Sequence, residues 1–267
     1  MSQGEPIRTA HVVALSLAPV KGLRIARQES VRLERRGVIG DRCFYLIDDR
    51  GRMVNAKHNG ALHEISAELD EGGQVLTLSF PSGERITAAV ALGAELTASY
   101  RSDARPARLI DGPFSEAISA HAGEELRLVG PADGSPGVDR GVAGAVTLVA
   151  AESLQELSRL ADRELDARRF RMSIEIEGAG AFAEDGWLGR ELIVGEATIR
   201  PRGHVGRCIV TSRDPETGQV DVPTLDLLRD LRADAATTEP LAMGVWGEVL
   251  TPGRVALGDP VQLGEIS

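Results

Sequence analysis

Turn-forming residues interrupt this chain so often that long helices are excluded over most of its length. Its 30 glycines and 13 prolines are spread through 267 residues rather than clustered. Between them lie short stretches that alternate in polarity or carry β-branched and aromatic side chains, the pattern of half-buried strands. In the first hundred residues these are HVVALSLA (11–18), ESVRLE (29–34), RCFYLID (42–48) and QVLTLSF (74–80), followed by ERITAAVAL (84–92) and ELTASY (95–100). Gly-Gly (72–73) and Pro-Ser-Gly (81–83) bracket QVLTLSF as hairpin turns would. Such a meander leaves open sheet edges, and a small barrel or sandwich closes them.

Around residues 101–115 the composition turns to Arg, Asp and Pro (RSDARPARLIDGPF), which places a domain boundary near residue 110: one domain over 1–110, a second over 111–267. PFSEAISAHAG (113–123) reads as a helix stopped by Gly123. PADGSPGVDRGVAG (131–144) reads as a loop, and VTLVA (146–150) as a buried strand feeding a helix over ESLQELSRLAD (152–162), with a core stripe of Leu154, Leu157 and Leu160. RFRMSIEIEG (169–178), ELIVGEATIRP (191–201) and CIVTS (208–212) read as strands. DVPTLDLLRDLR (221–232) reads as a helix capped by Asp221, and MGVWGEVLTPGRVALGDPVQLG (243–264) as two strands around a Pro-Gly turn. The expected fold is mainly β, an N-terminal β-barrel followed by a second β-barrel with a few peripheral helices.

Charge narrows the partners. The formal net charge of −10 argues against nucleic acid or an anionic membrane. The first residues lack a charged segment followed by an apolar one, and no apolar run reaches the length of a membrane span. With only Cys43 and Cys208, the chain has no disulfide framework. These features point to free thiols in the cytoplasm.

Cys208 lies in GHVGRCIVTSRDPETG (203–218), on a presumed strand entering the turn Asp214-Pro215-Glu216-Thr217-Gly218. Arg207 beside it favours a thiolate, which can act as nucleophile, sulfur carrier or soft-metal ligand. A buried structural cysteine is the competing reading. Zinc fits poorly, because His204 and Cys208 have no second Cys or His pair to complete a tetrahedral set. A cysteine hydrolase needs a histidine base that spacing does not assign. Basic residues also stand at turn and strand ends: Lys21 in APVKGL (18–23), Arg42 in RRGVIGDRCF (35–44), and two arginines in RFR (169–171). Flanked by glycine, such groups can clamp a phosphate or other anion.

Taken in order, APVKG, GVIGDRCFYLIDDRGRMVN, VAAESLQEL, RFRMSIEIEG, FAEDGWLGRELIVGEATIRP, GRCIVTSRDPETG and WGEVLTPGRVALGDPVQL resemble the MOSC-domain proteins. The similarity is to the subgroup with an N-terminal β-barrel, which includes the mitochondrial amidoxime reducing component. The resemblance implies a molybdenum–pterin cofactor between two β domains, and a molybdenum-dependent oxidoreductase acting on N-hydroxylated small molecules. Position by position it implies Cys208 as metal ligand and catalytic residue. It implies Lys21, Gly22, Arg42, Arg171, Ser173 and Arg207 as cofactor-binding residues, with Trp246 as an aromatic near the site. Electrons would come from a separate reductase, since there is no cysteine cluster for an iron–sulfur centre. The alternatives are a sulfur carrier with a persulfide on Cys208, supplied by a cysteine desulfurase, and a cofactor-binding module without turnover. Pyridoxal phosphate binding is a further association that the resemblance carries. The chain departs from the family pattern where Ser173 replaces an asparagine and where Gly22 and Gly206 replace serines.

Overall fold

The computed structural model describes residues 10–100, 103–132 and 142–264. Its largest sheet closes on itself. Ile174–Glu177, Val146–Ala150, Ala242–Thr251, Ala197–Gly206, Leu192–Val194, Pro260–Leu263 and Ala10–Leu17 are hydrogen-bonded in that order, and Ala10–Leu17 then pairs back with Ile174–Glu177. Seven strands thus form a barrel, and Ala26–Gln28 pairs on Ala10–Leu17 as an eighth. Inward-facing residues such as Val12, Leu15, Leu148, Ile174, Ile176, Ile199 and Val245 fill it. Each such side chain taken from water contributes about 1.5–3 kcal/mol before chain entropy is counted. The barrel contains one parallel pair, Val146–Ala150 with Ile174–Glu177. The crossover between them carries the helix Ala151–Leu160 and the 3-10 turn Ala167–Phe170.

Most of the first half forms smaller sheets around its own core of Leu23, Leu46, Leu62, Leu76, Phe114 and Leu128, while Ser30–Glu34 and Gly37–Val38 pair with Gly253–Ala256 against the barrel core. The meander Ser66–Leu69, Val75–Ser79, Arg85–Ala89 has the expected turns. Residues on either side of position 110 are neighbours in one five-stranded sheet, where Asp103–Asp111 pairs with Arg127–Pro131. The expected helix Phe114–Ala122 ends at Gly123, which takes the left-handed conformation with φ 71°. Most of the loop expected at 131–144 lies outside the described residues.

Several local expectations are corrected. CIVTS is not a strand: the strand ends at Gly206, and Ile209–Ser212 is a 3-10 turn. Its residues are β-branched, but hydroxyl bonds fix the turn. Thr211 Oγ1 donates to the Cys208 carbonyl at 3.0 Å, and the Thr224 hydroxyl lies 2.7 and 2.8 Å from those of Thr211 and Ser212. RFR is likewise a 3-10 turn and its end, with the strand beginning only at Ile174. Asp221 does not cap the helix Thr224–Leu231, because Arg169 takes its carboxylate. Leu160 is 40% exposed, so the core stripe of its helix stops at Leu157. The C-terminal segment forms three strands, not two: Ala242–Thr251, Gly253–Ala256 and Pro260–Leu263. Among the described residues no helix is long and apolar enough to cross a membrane.

Candidate anion and thiol cleft

A cavity of about 630 Å³ opens between the barrel and the sheets of the first half. Lys21, Gly22, Arg42, Arg171, Ser173, Arg207 and Cys208 all line it, although they come from both halves of the chain. Trp246 does not line it; its indole packs over Gly203 of the neighbouring strand. The strand register dictates this placement, since Trp246 lies opposite Gly203 and Thr147.

Cys208 is exposed, which removes the buried structural reading. It precedes the 3-10 turn in extended conformation, and its carbonyl accepts from the Thr211 amide at 3.0 Å. Cys43 is different: burial first, then the Asp41 carboxylate, push its thiol up to about 11, so it stays protonated.

The next segment, Asp214–Gly218, is a turn as expected. Asp214 Oδ1 accepts from the amides of Glu216 and Thr217 at 2.9 and 2.8 Å, and Gly218 closes it with φ 66°. The turn docks on the first half, where Arg24 pairs with Glu216 at 2.8 Å. There His63 is 1% exposed, with Nδ1 3.4 Å from the Asp214 carbonyl. Burial and the nearby Arg171 hold His63 down at about 4.

The arginines divide into braces and open groups. Arg207, expected to act on the cofactor or the neighbouring thiol, donates to the carbonyls of Met243 and Phe170 at 2.9 Å each, and to Met172 Sδ at 2.8 Å. Arg169 is 2% exposed; it pairs with Asp221 at 3.1 Å and donates to the Thr211 carbonyl at the same distance. RFR offered it as an anion clamp beside Arg171; partners about forty to fifty positions away make it a brace instead. Arg42 and Arg171 carry another signature. Both are left-handed, with φ 51° and 54°, a conformation that costs a non-glycine residue about 1 kcal/mol and recurs at functional sites. Arg42 pairs with Asp41 and donates to the Arg171 carbonyl at 3.0 Å, tying the halves together. Burial and the adjacent Arg42 pull the Arg171 guanidinium down to about 10, and its Nη2 is buried without a hydrogen-bond partner.

The departures from the family pattern have local causes. Gly22 has φ 95°, and a side chain there would meet Asn55 Cα at 3.0 Å. At Gly206 a Cβ would stand 2.6 Å from Glu239 Oε2, which accepts from the Gly206 amide at 3.1 Å. The Ser173 hydroxyl lies 3.1 Å from that of Thr147. Sequence reading also missed Arg36, Asn55, Lys57, His58 and Thr147 on the wall. One signal was available: Lys21 and Lys57 are the only lysines in the chain.

The fold and the cleft define a two-part β protein that presents one thiol and a ring of cations to a shared cavity. Residues 9–113 match the MOSC N-terminal beta barrel domain, and residues 135–262 match the MOSC domain. The chain belongs to the MOSC-domain family, in the form with an N-terminal barrel. It is 26% identical to human mitochondrial amidoxime-reducing component 1 over 94% of this chain and 82% of that protein. To the mouse protein of the same name it is 32% identical over 42% of this chain, a match spanning 34% of the mouse protein's length. The crystal structure of the YuaD protein from Bacillus subtilis aligns with a TM-score of 0.45 and 13% identity, over 96% of this chain and 95% of that one.

Proposed function

We propose that the cleft binds a phosphate-bearing molybdenum–pterin cofactor and that the protein reduces N-hydroxylated compounds with it. One observation carries this reading. An exposed thiol, Cys208, and a buried guanidinium nitrogen without a partner, Arg171 Nη2, belong to one cavity whose lining has eight Lys and Arg residues against a single Asp. The names of the amidoxime-reducing relatives support the substrate class.

The residues fit the group by donor chemistry. Cys208 offers a soft thiolate suited to molybdenum, and Lys21, Arg42 and Arg171 offer cations suited to a phosphate and polar pterin edges. Thr147 and Ser173 add hydroxyls on the same wall. When bound, the cofactor supplies the two-electron chemistry. The chain's own part is to bind and orient: Arg169 and Arg207 fix the backbone on either side of Cys208, and Arg42 aligns Arg171 through its carbonyl. In the overall reaction an N–O bond breaks, two electrons and two protons are taken up, and water leaves. The electrons come from a separate reductase.

Molybdenum and pterin content, measured after expression in a cofactor-competent host, tests the reading. Wild type is expected to carry both, and Cys208→Ser to lose molybdenum while keeping pterin. Wild type with neither overturns it. The exposure of Cys208 also suits a sulfur carrier. Sulfane sulfur on Cys208 after incubation with a cysteine desulfurase, in protein free of molybdenum, would select that reading instead.

A further inference from the structure

The cleft holds more positive charge than its cofactor reading uses. Of the eight cations lining it, Arg42 pairs with Asp41, Arg52 with Asp48 at 2.7 Å and Arg169 with Asp221, while Arg207 braces backbone carbonyls. Lys21 and Arg171, with Arg42, are the groups assigned to the cofactor. Arg36 and Lys57 remain. Both are exposed, both belong to the first half of the chain, and neither has a carboxylate partner among the described residues.

Their setting makes this surplus informative. The chain as a whole carries −10, yet its only two lysines both line this one cavity. A cleft lined by one sign of charge inside a surface of the opposite sign focuses the field at its mouth and attracts ions of complementary charge. A neutral substrate gains little from that field. A substrate with a carboxylate or phosphate remote from its N–OH group gains a charge-assisted contact and a faster approach.

We infer that the preferred substrates are anionic N-hydroxylated compounds, whose carboxylate or phosphate is taken by Arg36 and Lys57 at the cleft mouth. The inference rests on the reductase reading for the N–OH group, and on the wall alone for the anion.

Calorimetric binding of two probes tests it: benzamidoxime and 4-carboxybenzamidoxime, added to the purified protein without an electron donor so that neither turns over. The carboxylate probe is expected to bind about tenfold more tightly at low salt. That preference should vanish in an Arg36→Gln/Lys57→Gln variant and persist in Arg36→Lys/Lys57→Arg, which keeps the charges and controls for folding. Equal affinity of the two probes for wild type overturns the inference, as does no binding of the carboxylate probe or a preference that survives the glutamine variant. Molybdenum analysis of the same samples separates the two readings. A charge preference in metal-free protein keeps the anion contact at Arg36 and Lys57 while overturning the reductase reading, and with it the N-hydroxylated substrate class.

Discussion

On the barrel side of the cleft, the buried Arg169 and the half-buried Arg207 place their guanidinium groups on main-chain carbonyls, and Arg169 also on Asp221. On the opposite side, Arg52 and Lys57 stand in solvent, and Arg36 is equally exposed in the turn between Ser30–Glu34 and Gly37–Val38, a hairpin that pairs with Gly253–Ala256. The same residue type thus does two kinds of work in one cavity. Where it is buried, it shapes the backbone that carries Cys208. Where it is exposed and has no carboxylate partner among the described residues, as at Arg36, its charge remains available to a ligand, whereas Arg52 is held by Asp48. The difference follows from desolvation: a buried guanidinium must be satisfied from within, whereas water satisfies an exposed one.

Removing one arginine from each wall tests this contrast most strongly. Arg169→Ala strips the Thr211 and Arg213 carbonyls of their donor and, among the described residues, leaves Asp221 only its 3.6 Å pair with Arg163. It should lower unfolding stability by about 3 kcal/mol in a urea titration. Arg52→Ala, whose side chain is 63% exposed, should change it by less than about 0.5 kcal/mol. Comparable losses from the two would erase the distinction between the walls.

Acid titration should also separate the two halves. His63 falls from 6.5 to about 4 on folding, so the unfolded chain binds its proton first. Its contribution is complete above pH 6.5 and is lost as the pH falls toward 4, an effect of about 3 kcal/mol. Glu184, wholly buried in the second half, runs the other way. Burial raises it from 4.5 to about 7, so its contribution is present below pH 4.5 and is lost as the pH rises toward 7. The two slopes oppose each other in wild type. Glu184→Gln should expose the histidine slope in stability measured from pH 4 to 7, and a profile unchanged by that substitution would contradict the assignment.

The smallest expected effect has opposite signs for stability and binding. Arg171→Gly relieves a left-handed arginine and its repulsion from Arg42, and should raise the thermal midpoint by an amount equivalent to about 1 kcal/mol. The same change should weaken cofactor retention. A fall in both would mean that Arg171 is structural, like Arg169.

The sequence disclosed strands wherever pairing was local. Val75–Ser79 and its hairpin neighbours lie within about twenty residues, and their alternation was legible. It disclosed the candidate cluster as well, because Lys21, Arg42, Arg171 and Cys208 stand in recognisable segments. It did not disclose the turn after Cys208, whose β-branched residues are held by Thr224 across thirteen positions. Nor did it place Trp246, whose facing depends on register within a barrel that only the whole chain assembles. Asp221 looked like a helix cap because the local pattern fits, and a buried arginine fifty-two residues earlier in the chain claimed it.

The closing strand pair of the barrel has a consequence for how the protein is made. Ala10–Leu17 is hydrogen-bonded to Pro260–Leu263 on one side and Ile174–Glu177 on the other. During synthesis the first strand can therefore pair early only with Ala26–Gln28, through Leu15–Leu17; its partner Ile174–Glu177 emerges much later and Pro260–Leu263 last. The ring that supports the cleft closes only when Pro260–Leu263 reaches Ala10 and His11, strands far apart in sequence whose pairing is slow to form.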